Sequence, residues 1–363
     1  MKELKYHNTL EKLSQIKIFS QEKLNNLNAI CKDFPFKAND YYLNLINWED
    51  TEDPIKRIIF PCEEESLDWG EYDASNESSI TVDKGVQHKY PYTVLLLCNE
   101  ECGGYCRYCF RKRVFLRENN EVSLDVKEGI KYISENPQVT NVLLTGGDPL
   151  LLSNDKLVEI LSEIRKIDHV GIIRIGSKLP AFNPMRIYED YELLDILKEF
   201  STAEKRIYLM THFDHPRELT KEAQKAIKSL INVGAVLCNQ SPLIRGVNDN
   251  PKTLAELFNK LSFIGCPPYY LFQGRPTKGN YPYRIPIVEG YFIFEEAKKL
   301  VSGLARRARF VMSHETGKIE IIGVDEKNIY LKYHRAKNPQ DLGKILIFKR
   351  NDYAYWLGDL VPA

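Results

Sequence analysis

Short apolar segments alternate with amphipathic segments over most of the chain after residue 91. In one amphipathic segment Leu157, Ile160, Leu161 and Ile164 recur at the spacing that lines one helix face. The predicted strands cover residues 93–97, 141–145, 171–176, 206–212, 235–240 and 269–273, and predicted helices include residues 155–167, 191–200, 220–233, 251–264 and about 291–304. This alternation predicts an α/β fold, a partial barrel of six βα units around a parallel sheet.

The two ends of the chain follow other patterns. Residues 1–33 are predicted to form amphipathic helix, and a loop-rich segment follows. After residue 310 four apolar, strand-like runs are separated by turns. We therefore predict a helical amino-terminal extension over residues 1–86, the partial barrel over residues 87–305 and a β-rich tail over residues 306–363.

Three cysteines, Cys102, Cys106 and Cys109, directly follow the apolar run at residues 94–97 in the string CGGYCRYC. They provide one thiolate fewer than a [4Fe–4S] cube usually takes, so one iron would keep a position open for an outside molecule. A zinc site would use four ligands, and no second cysteine or histidine pair follows. A ferredoxin-like site would need Cys98 as the fourth ligand, but its place at the end of the run favours a buried strand residue.

Composition narrows the class of protein. The 363 residues include 50 basic and 50 acidic side chains, so there is no net charge to attract nucleic acid or an anionic membrane. No stretch approaches the roughly 20 apolar residues that a membrane span needs. Eight cysteines are too sparse for a disulfide scaffold, which favours a reducing cytoplasm.

Polar motifs follow successive predicted strands. Gly146, Gly147 and Asp148 follow the second strand, and the strings RIGSKLP, THFDHP and NQSPLIRGVND end the third, fourth and fifth. Taken singly, each is more often a turn or a capped polar residue. Because the carboxyl ends of barrel strands lie on one rim, the set together predicts a binding site there.

The cysteine loop resembles the signature of the radical S-adenosylmethionine (SAM) enzymes. The resemblance implies that Cys102, Cys106 and Cys109 hold a [4Fe–4S] cluster whose open iron chelates SAM. An electron from the cluster then splits the cofactor to a 5′-deoxyadenosyl radical. The resemblance also implies that Tyr108 belongs to the cluster motif. The segment at residues 146–148 (Gly146, Gly147, Asp148) resembles the family motif that holds the methionine amino group.

The strings CRYCFRKR, LLTGGDPLL, RIGSKLP, THFDHP and NQSPLIRGVND together resemble the lysine 2,3-aminomutase family, over roughly residues 39–310. In that family the radical abstracts a hydrogen from an amino acid held as an imine on pyridoxal phosphate, and nitrogen moves from Cα to Cβ. The resemblance implies that Arg111 pairs with the substrate α-carboxylate, for which a planar guanidinium is suited. It implies that Ser177, His212 and Gln240 line the SAM site. Without the resemblance, Arg111 would be a solvated member of a basic run.

Three departures from the family concern the substrate and pyridoxal phosphate. Where lysine-specific members carry two aspartates for the substrate ammonium, this chain has Arg275 and an acid-free segment at residues 311–314, so an acidic side chain is the expectation. Where relatives hold the cofactor phosphate with two arginines, it has Lys89 and Thr93. The loop of the imine-forming lysine is shortened, with Lys318 as the candidate and a hairpin-turn lysine as the alternative.

The sequence thus predicts a radical SAM enzyme, an isomerase of the aminomutase type acting on an amino acid or related small carboxylate that is not lysine. The alternatives are a radical SAM enzyme without pyridoxal phosphate that dehydrogenates or epimerises its substrate or modifies a peptide, and a non-catalytic iron–sulfur protein. Expected partners are the small-molecule substrate, a reductant such as flavodoxin or ferredoxin, and a second copy of the chain. Nucleic acid and membrane are not expected partners.

Overall fold

The computed structural model describes residues 4–13, 18–116 and 120–363. Its helices are α1 (Gln21–Asp33), α2 (Asp40–Leu43), α3 (Pro54–Ile59), α4 (Lys127–Ser134), α5 (Asn154–Arg165), α6 (Leu179–Phe182), α7 (Met185–Tyr188), α8 (Tyr191–Phe200), α9 (Lys221–Asn232), α10 (Pro251–Phe263) and α11 (Ile287–Lys299). Its strands are β1 (Tyr6–His7), β2 (Ala38–Asn39), β3 (Thr81–Asp83), β4 (Val86–Tyr90), β5 (Thr93–Asn99), β6 (Asn141–Gly146), β7 (Ile172–Ser177), β8 (Ile207–Thr211), β9 (Val236–Pro242), β10 (Pro268–Phe272), β11 (Arg309–His314), β12 (Gly317–Val324), β13 (Asn328–Ala336) and β14 (Ile345–Lys349).

A twelve-stranded sheet, β3 to β14 in chain order, organises the molecule. The strands β5 to β11 pair in parallel, whereas the pairs at both ends of the sheet are antiparallel. This confirms the α/β class with a parallel barrel sheet. Because parallel strands need long crossover connections, the intervening helices return the chain across one face of the sheet.

The two faces of the sheet differ in polarity. On β7, Ile173 and Ile175 are fully buried in the apolar core that also contains the predicted face of α5, residues 157, 160, 161 and 164. The residue between them, Arg174, alternates to the other face and is half-buried. Full burial of each large aliphatic side chain contributes about 1.5–3 kcal/mol, so this alternation fixes which side chains face the barrel interior.

Side chains bridge the opening between the two ends of the curved sheet. The amine of Lys89 on β4 donates to the carbonyl oxygen of His314 on β11. Arg335 Nη2 on β13 donates to Thr93 Oγ1 on β5 at 3.0 Å. Polar groups from early and late strands therefore meet in the barrel interior.

The amino-terminal segment packs against the cysteine loop. A buried ion pair joins Arg107 in that loop to Glu65, with an N–O distance of 2.7 Å. The amide of Asn39 donates to the carbonyl oxygens of Gly103 at 3.3 Å and Phe182 at 2.9 Å. These contacts hold the loop against the rim of the barrel.

The helix predicted over residues 1–33 is wrong in extent. Within the described residues the segment forms strand β1 and a helix that begins only at Gln21, and residues 1–3 and 14–17 lie outside the described part. Ser20 starts this helix because its side chain accepts the Lys23 backbone N–H, as an N-cap does. The last predicted helix, 291–304, instead spans 287–299.

The predicted strands of the tail are confirmed as β11 to β14. The first of them, β11, pairs in parallel with β10, so the sheet continues across the boundary proposed at residues 305 and 306. The three-part division of the chain stays a prediction. None of the described helices has the length and apolar character needed to cross a membrane.

Candidate active site

Cys102, Cys106 and Cys109 lie on the loop after β5, half-buried and free of disulfides. Burial raises the pKa of the Cys102 thiol, and Asp148 and the two other thiols raise it further. Within the described residues no three His, Cys, Asp or Glu side chains are arranged to hold a single metal ion. The ligands of an iron–sulfur cube bind different irons, so that arrangement is not required for a cube.

The surroundings of the cysteine loop are cationic. Burial raises the pKa of Cys106 and Cys109, while Lys178 lowers that of Cys106 and Lys112 and Arg111 lower that of Cys109. Positive neighbours stabilise thiolates and anionic clusters. The donor set therefore fits a three-thiolate [4Fe–4S] cluster.

Gly146 and Gly147 bring the end of β6 against the same loop. Gly147 N donates to Asn99 O and Asp148 N donates to Glu101 O, each at 2.6 Å. A Cβ on Gly147 would lie 2.2 Å from the Glu101 carbonyl oxygen, and Gly146 has a φ of 112°. Only glycine permits this approach, so the motif positions the cysteine loop against the end of β6.

Asp148 and Ser177, both predicted to bind cofactor, contact each other. Asp148 Oδ2 accepts from Ser177 Oγ at 2.9 Å and from the backbone N–H groups of Lys178 at 2.9 Å and Leu179 at 3.0 Å. Burial raises the pKa of Asp148 to about 6, although these hydrogen bonds lower it. The pair joins the ends of β6 and β7.

A buried group of one lysine and two carboxylates lies beneath the rim. Lys178 Nζ is 2.6 Å from Asp214 Oδ2 and 2.8 Å from Glu218 Oε1, and all three side chains are buried. The hydroxyl of Tyr108 also donates to Asp214. Burial opposes ionisation of Asp214, but His212, whose Nε2 lies 3.0 Å away, and Lys178 hold its pKa well below the usual range. We call Lys178, Asp214 and Glu218 the buried triad.

His212 and Gln240 remain accessible from the barrel interior. The His212 side chain is 33% exposed. Gln240 on β9 is half-buried and is paired in register with Tyr270 of β10, and its side chain makes no hydrogen bond within the described part of the chain. Of the residues predicted to line the SAM site, these two have polar atoms available for a ligand.

Three arginines converge on the buried carboxylate of Glu77. Arg275 Nη1 lies 2.9 Å from Oε1, and Arg113 Nη2 and Arg111 Nε lie 2.6 and 3.4 Å from Oε2. Burial opposes ionisation of Glu77, but the arginines hold its pKa far below the usual range. Arg111 is buried, so the reading of it as a solvated member of a basic run is wrong. Arg113 is also paired with Glu121, at 2.6 Å between Nε and Oε1, so Arg111 and Arg275 share Glu77 and carry one positive charge more than it compensates.

The two arginines predicted to meet substrate have further contacts. Arg111 Nη1 donates to Thr145 Oγ1 at 3.0 Å, which points it to the carboxyl end of β6. Arg275 Nη2 donates to Ser313 Oγ at 3.3 Å, and its guanidinium carbon lies 3.8 Å from the centre of the Phe110 ring. Arg275 thus lies beside the acid-free segment 311–314.

Lys318 is the second residue of β12 and faces the barrel interior. Its amine lies 4.9 and 5.0 Å from the ring centres of Phe272 and Tyr270. Burial lowers its pKa well below the ordinary lysine value, and Arg335 and Arg174 lower it further. Lys318 does lie beside the turn of the β11–β12 hairpin, as the alternative has it, and its amine is withdrawn from solvent against these rings.

Other cations line the same interior. Burial, together with the positive charge of Arg275, lowers the pKa of Lys89 to about 7. Arg174 Nε donates to Asn141 Oδ1 at 2.8 Å. Arg335 stacks on Tyr90, with 3.9 Å from the guanidinium carbon to the ring centre.

Sequence reasoning missed Glu77, Arg174, Arg335 and the buried triad. Arg174 and Arg335 each interrupt an apolar strand at an alternate position, which is a signal for a charged interior face. Glu77 carries no comparable signal, because its arginine partners at positions 111, 113 and 275 are distant in sequence.

Comparison with known proteins agrees with this geometry. Residues 97–258 match the Radical SAM superfamily model. The chain is 50% identical to "Putative L-lysine 2,3-aminomutase" of Aquifex aeolicus, over 99% of this chain and 95% of that protein. It is 36% identical to L-lysine 2,3-aminomutase of Clostridium subterminale, over 81% and 70% of the two chains. It is 32% identical to glutamate 2,3-aminomutase of Clostridioides difficile, over 82% and 69%.

Proposed function

Because this chain belongs to the lysine 2,3-aminomutase family of radical SAM enzymes, we propose that it moves the amino group of an acidic amino acid from Cα to Cβ, with pyridoxal phosphate attached to Lys318. The observation that carries the proposal is the cationic barrel interior, where the Lys318 amine and Arg275 both lie. The positive charge of this interior supports both the cofactor and the substrate class that we propose.

In this superfamily an electron from the [4Fe–4S] cluster cleaves SAM to methionine and a 5′-deoxyadenosyl radical, which takes a hydrogen atom from the substrate. Cys102, Cys106 and Cys109 are the proposed cluster ligands, supported by their proximity and cationic surroundings. His212 and Gln240 are the proposed side-chain contacts to SAM. The electron comes from a protein reductant such as flavodoxin or ferredoxin.

Lys318 is suited to hold pyridoxal phosphate, which supplies an aldehyde that condenses with an amine and releases water. Only the neutral amine reacts, and a catalytic lysine becomes neutral through desolvation or cationic neighbours. Lys318 has both, with Arg335 and Arg174 as the leading neighbours. The rings of Phe272 and Tyr270 provide an apolar surface beside it.

The excess positive charge favours a substrate with two carboxylates. Arg111 is the proposed partner of the α-carboxylate. Arg275 and Ser313 lie together where lysine-specific relatives are expected to carry acids, and a guanidinium repels the ammonium of a lysine side chain. Glu77 holds the arginines in place and leaves one charge of Arg111 and Arg275 uncompensated, because Arg113 is also paired with Glu121.

The test is an anaerobic assay of cluster-loaded protein with SAM, pyridoxal phosphate and reductant. Glutamate, aspartate, lysine and alanine are compared, and both 5′-deoxyadenosine and β-amino acid are measured. We expect β-amino acid from an acidic substrate, at a kcat/KM at least about tenfold above that for lysine. Preference for lysine would overturn the substrate class. Formation of 5′-deoxyadenosine without β-amino acid would replace the aminomutase by another radical reaction.

Two variants refine the substrate assignment. Arg275→Gln should raise the KM for the acidic substrate about tenfold or more, because a charge-assisted hydrogen bond is lost. The matched control is Arg309→Gln, which removes an exposed arginine that pairs with Glu320 on β12. Equal effects of the two variants would argue against a substrate contact of Arg275.

A further inference from the structure

Three cations in the barrel interior have no carboxylate partner. Arg174, Lys318 and Arg335 form no ion pair within residues 4–13, 18–116 and 120–363. Arg335 and Lys318 are register partners on adjacent strands. Charges that are withdrawn from water are ordinarily paired, so the uncompensated positive charge of this group favours the binding of an anion.

Deprotonation can relieve the charge of the lysine but not that of both arginines. Burial and Arg335 lower the pKa of Arg174 to about 10, which still leaves Arg174 protonated at neutral pH. A guanidinium keeps its charge because its ordinary pKa exceeds 12. The remaining charge is therefore located on two planar groups with several donors each, a geometry suited to phosphate oxygens.

The position of Arg335 indicates which phosphate it would hold. Its Nη2 donates to Thr93 Oγ1 at 3.0 Å, and Thr93 occupies the place where relatives are expected to carry a phosphate-binding arginine. Arg335 reaches that place from β13, at the other end of the sheet. Within the described residues, the Arg174 side chain donates one hydrogen bond, from Nε to Asn141 Oδ1. Its terminal nitrogens remain for a ligand.

We propose that Arg335, together with Arg174, binds the phosphate of the pyridoxal phosphate attached to Lys318, replacing the arginine that position 93 lacks. This inference rests on the proposed function, because it requires the cofactor at Lys318. The inference goes beyond the proposed function because it assigns phosphate binding to β13, whereas relatives are expected to bind the phosphate from β5.

The test compares the affinity for pyridoxal phosphate with that for pyridoxal, which lacks the phosphate, in cluster-loaded protein without substrate. Binding is followed by the visible absorbance of the lysine-bound cofactor. Arg335→Gln should weaken pyridoxal phosphate binding about ten- to a hundredfold and leave pyridoxal binding within about twofold. Arg174→Gln should show the same selectivity. Lys332→Gln, which removes an exposed charge from the same strand, is the control and should change neither affinity.

A relocation variant keeps the test decisive if Arg335→Gln perturbs folding. Thr93→Arg in the Arg335→Gln background should recover most of the lost affinity, because it restores a guanidinium at the same place from β5. Unchanged affinity in Arg335→Gln, or equal loss for both ligands in a folded variant, would overturn the inference alone. Failure of the wild-type protein to attach pyridoxal phosphate at all would overturn the proposed function, and the inference with it.

Discussion

Two charged regions inside this barrel have opposite charge balance. In the buried triad, one lysine faces two carboxylates, and a third group, His212, contacts Asp214. Around Lys318, three cations face one another with no paired carboxylate among the described residues. In the triad a cation lies between the two carboxylates and holds strand ends together. The cations around Lys318 are the proposed site of an anionic ligand, because buried charges are ordinarily paired.

The largest effect on stability is expected when the lysine of the buried triad is removed. Lys178→Met leaves Asp214 and Glu218 buried without their cation, and breaking a buried pair costs about 3–5 kcal/mol. We expect the free energy of unfolding of the cluster-loaded protein to fall by that amount, measured by anaerobic denaturant titration. A loss below about 1 kcal/mol would show that the triad is hydrated rather than closed.

Removing the lysine of the second region, Lys318, should not lower the free energy of unfolding. Lys318→Met removes an amine whose charged form is opposed by burial and by the neighbouring arginines, so without pyridoxal phosphate the free energy of unfolding should stay or rise by on the order of 1 kcal/mol. The same variant should lose the visible absorbance of the lysine-bound cofactor and all aminomutase activity. A destabilisation as large as that of Lys178→Met would contradict the contrast between the regions.

A third expected effect is a pH dependence of the unfolding free energy that comes from Lys89. Its folded pKa of about 7 is below the unfolded value of about 10.4, so the unfolded chain binds more protons between these limits. Stability from this group is therefore lowest below pH 7 and rises with pH, by at most about 1.4 kcal/mol per unit. The groups that act on Lys89 are Arg275 and Lys337, which lower its pKa, and Glu77 and Glu315, which raise it.

The measurement is the difference in unfolding free energy between wild type and Lys89→Met at pH 7 and pH 9. Other titrating groups contribute to both proteins and cancel in the difference. We expect wild type to gain stability relative to the variant over this range. A constant difference would place the Lys89 pKa at its ordinary value.

Local sequence patterns predicted the parts of the molecule that depend on near neighbours. The strands β5 to β10 and the apolar face of α5 follow from periodicity, because a strand or helix buries one face at a fixed spacing. The helix predicted over residues 1–33 failed because Ser20 starts a new helix, and Tyr6 and His7 pair with β2 instead. Amphipathic spacing alone does not show where a helix begins.

Candidate site residues divide in the same way. The cysteine spacing pointed to an open cluster site, and Lys318 could be named as a candidate from its place after a glycine. Asp148 and Ser177 were also named, but their hydrogen bonds to each other could not be anticipated from the chain. A polar residue at a strand end can meet a ligand or a neighbouring strand end, and only their relative positions distinguish these cases.

Residue order therefore establishes the barrel strands, the cysteine loop and the family, since each rests on spacing within a short segment. Charge balance is different, because it depends on which groups approach within a few ångströms after the sheet has curved. Thr93 and Arg335 are far apart along the chain, yet they share a hydrogen bond across the barrel opening. The folded arrangement thus gives Lys318 its lowered pKa and leaves Arg174 and Arg335 without a carboxylate partner among the described residues.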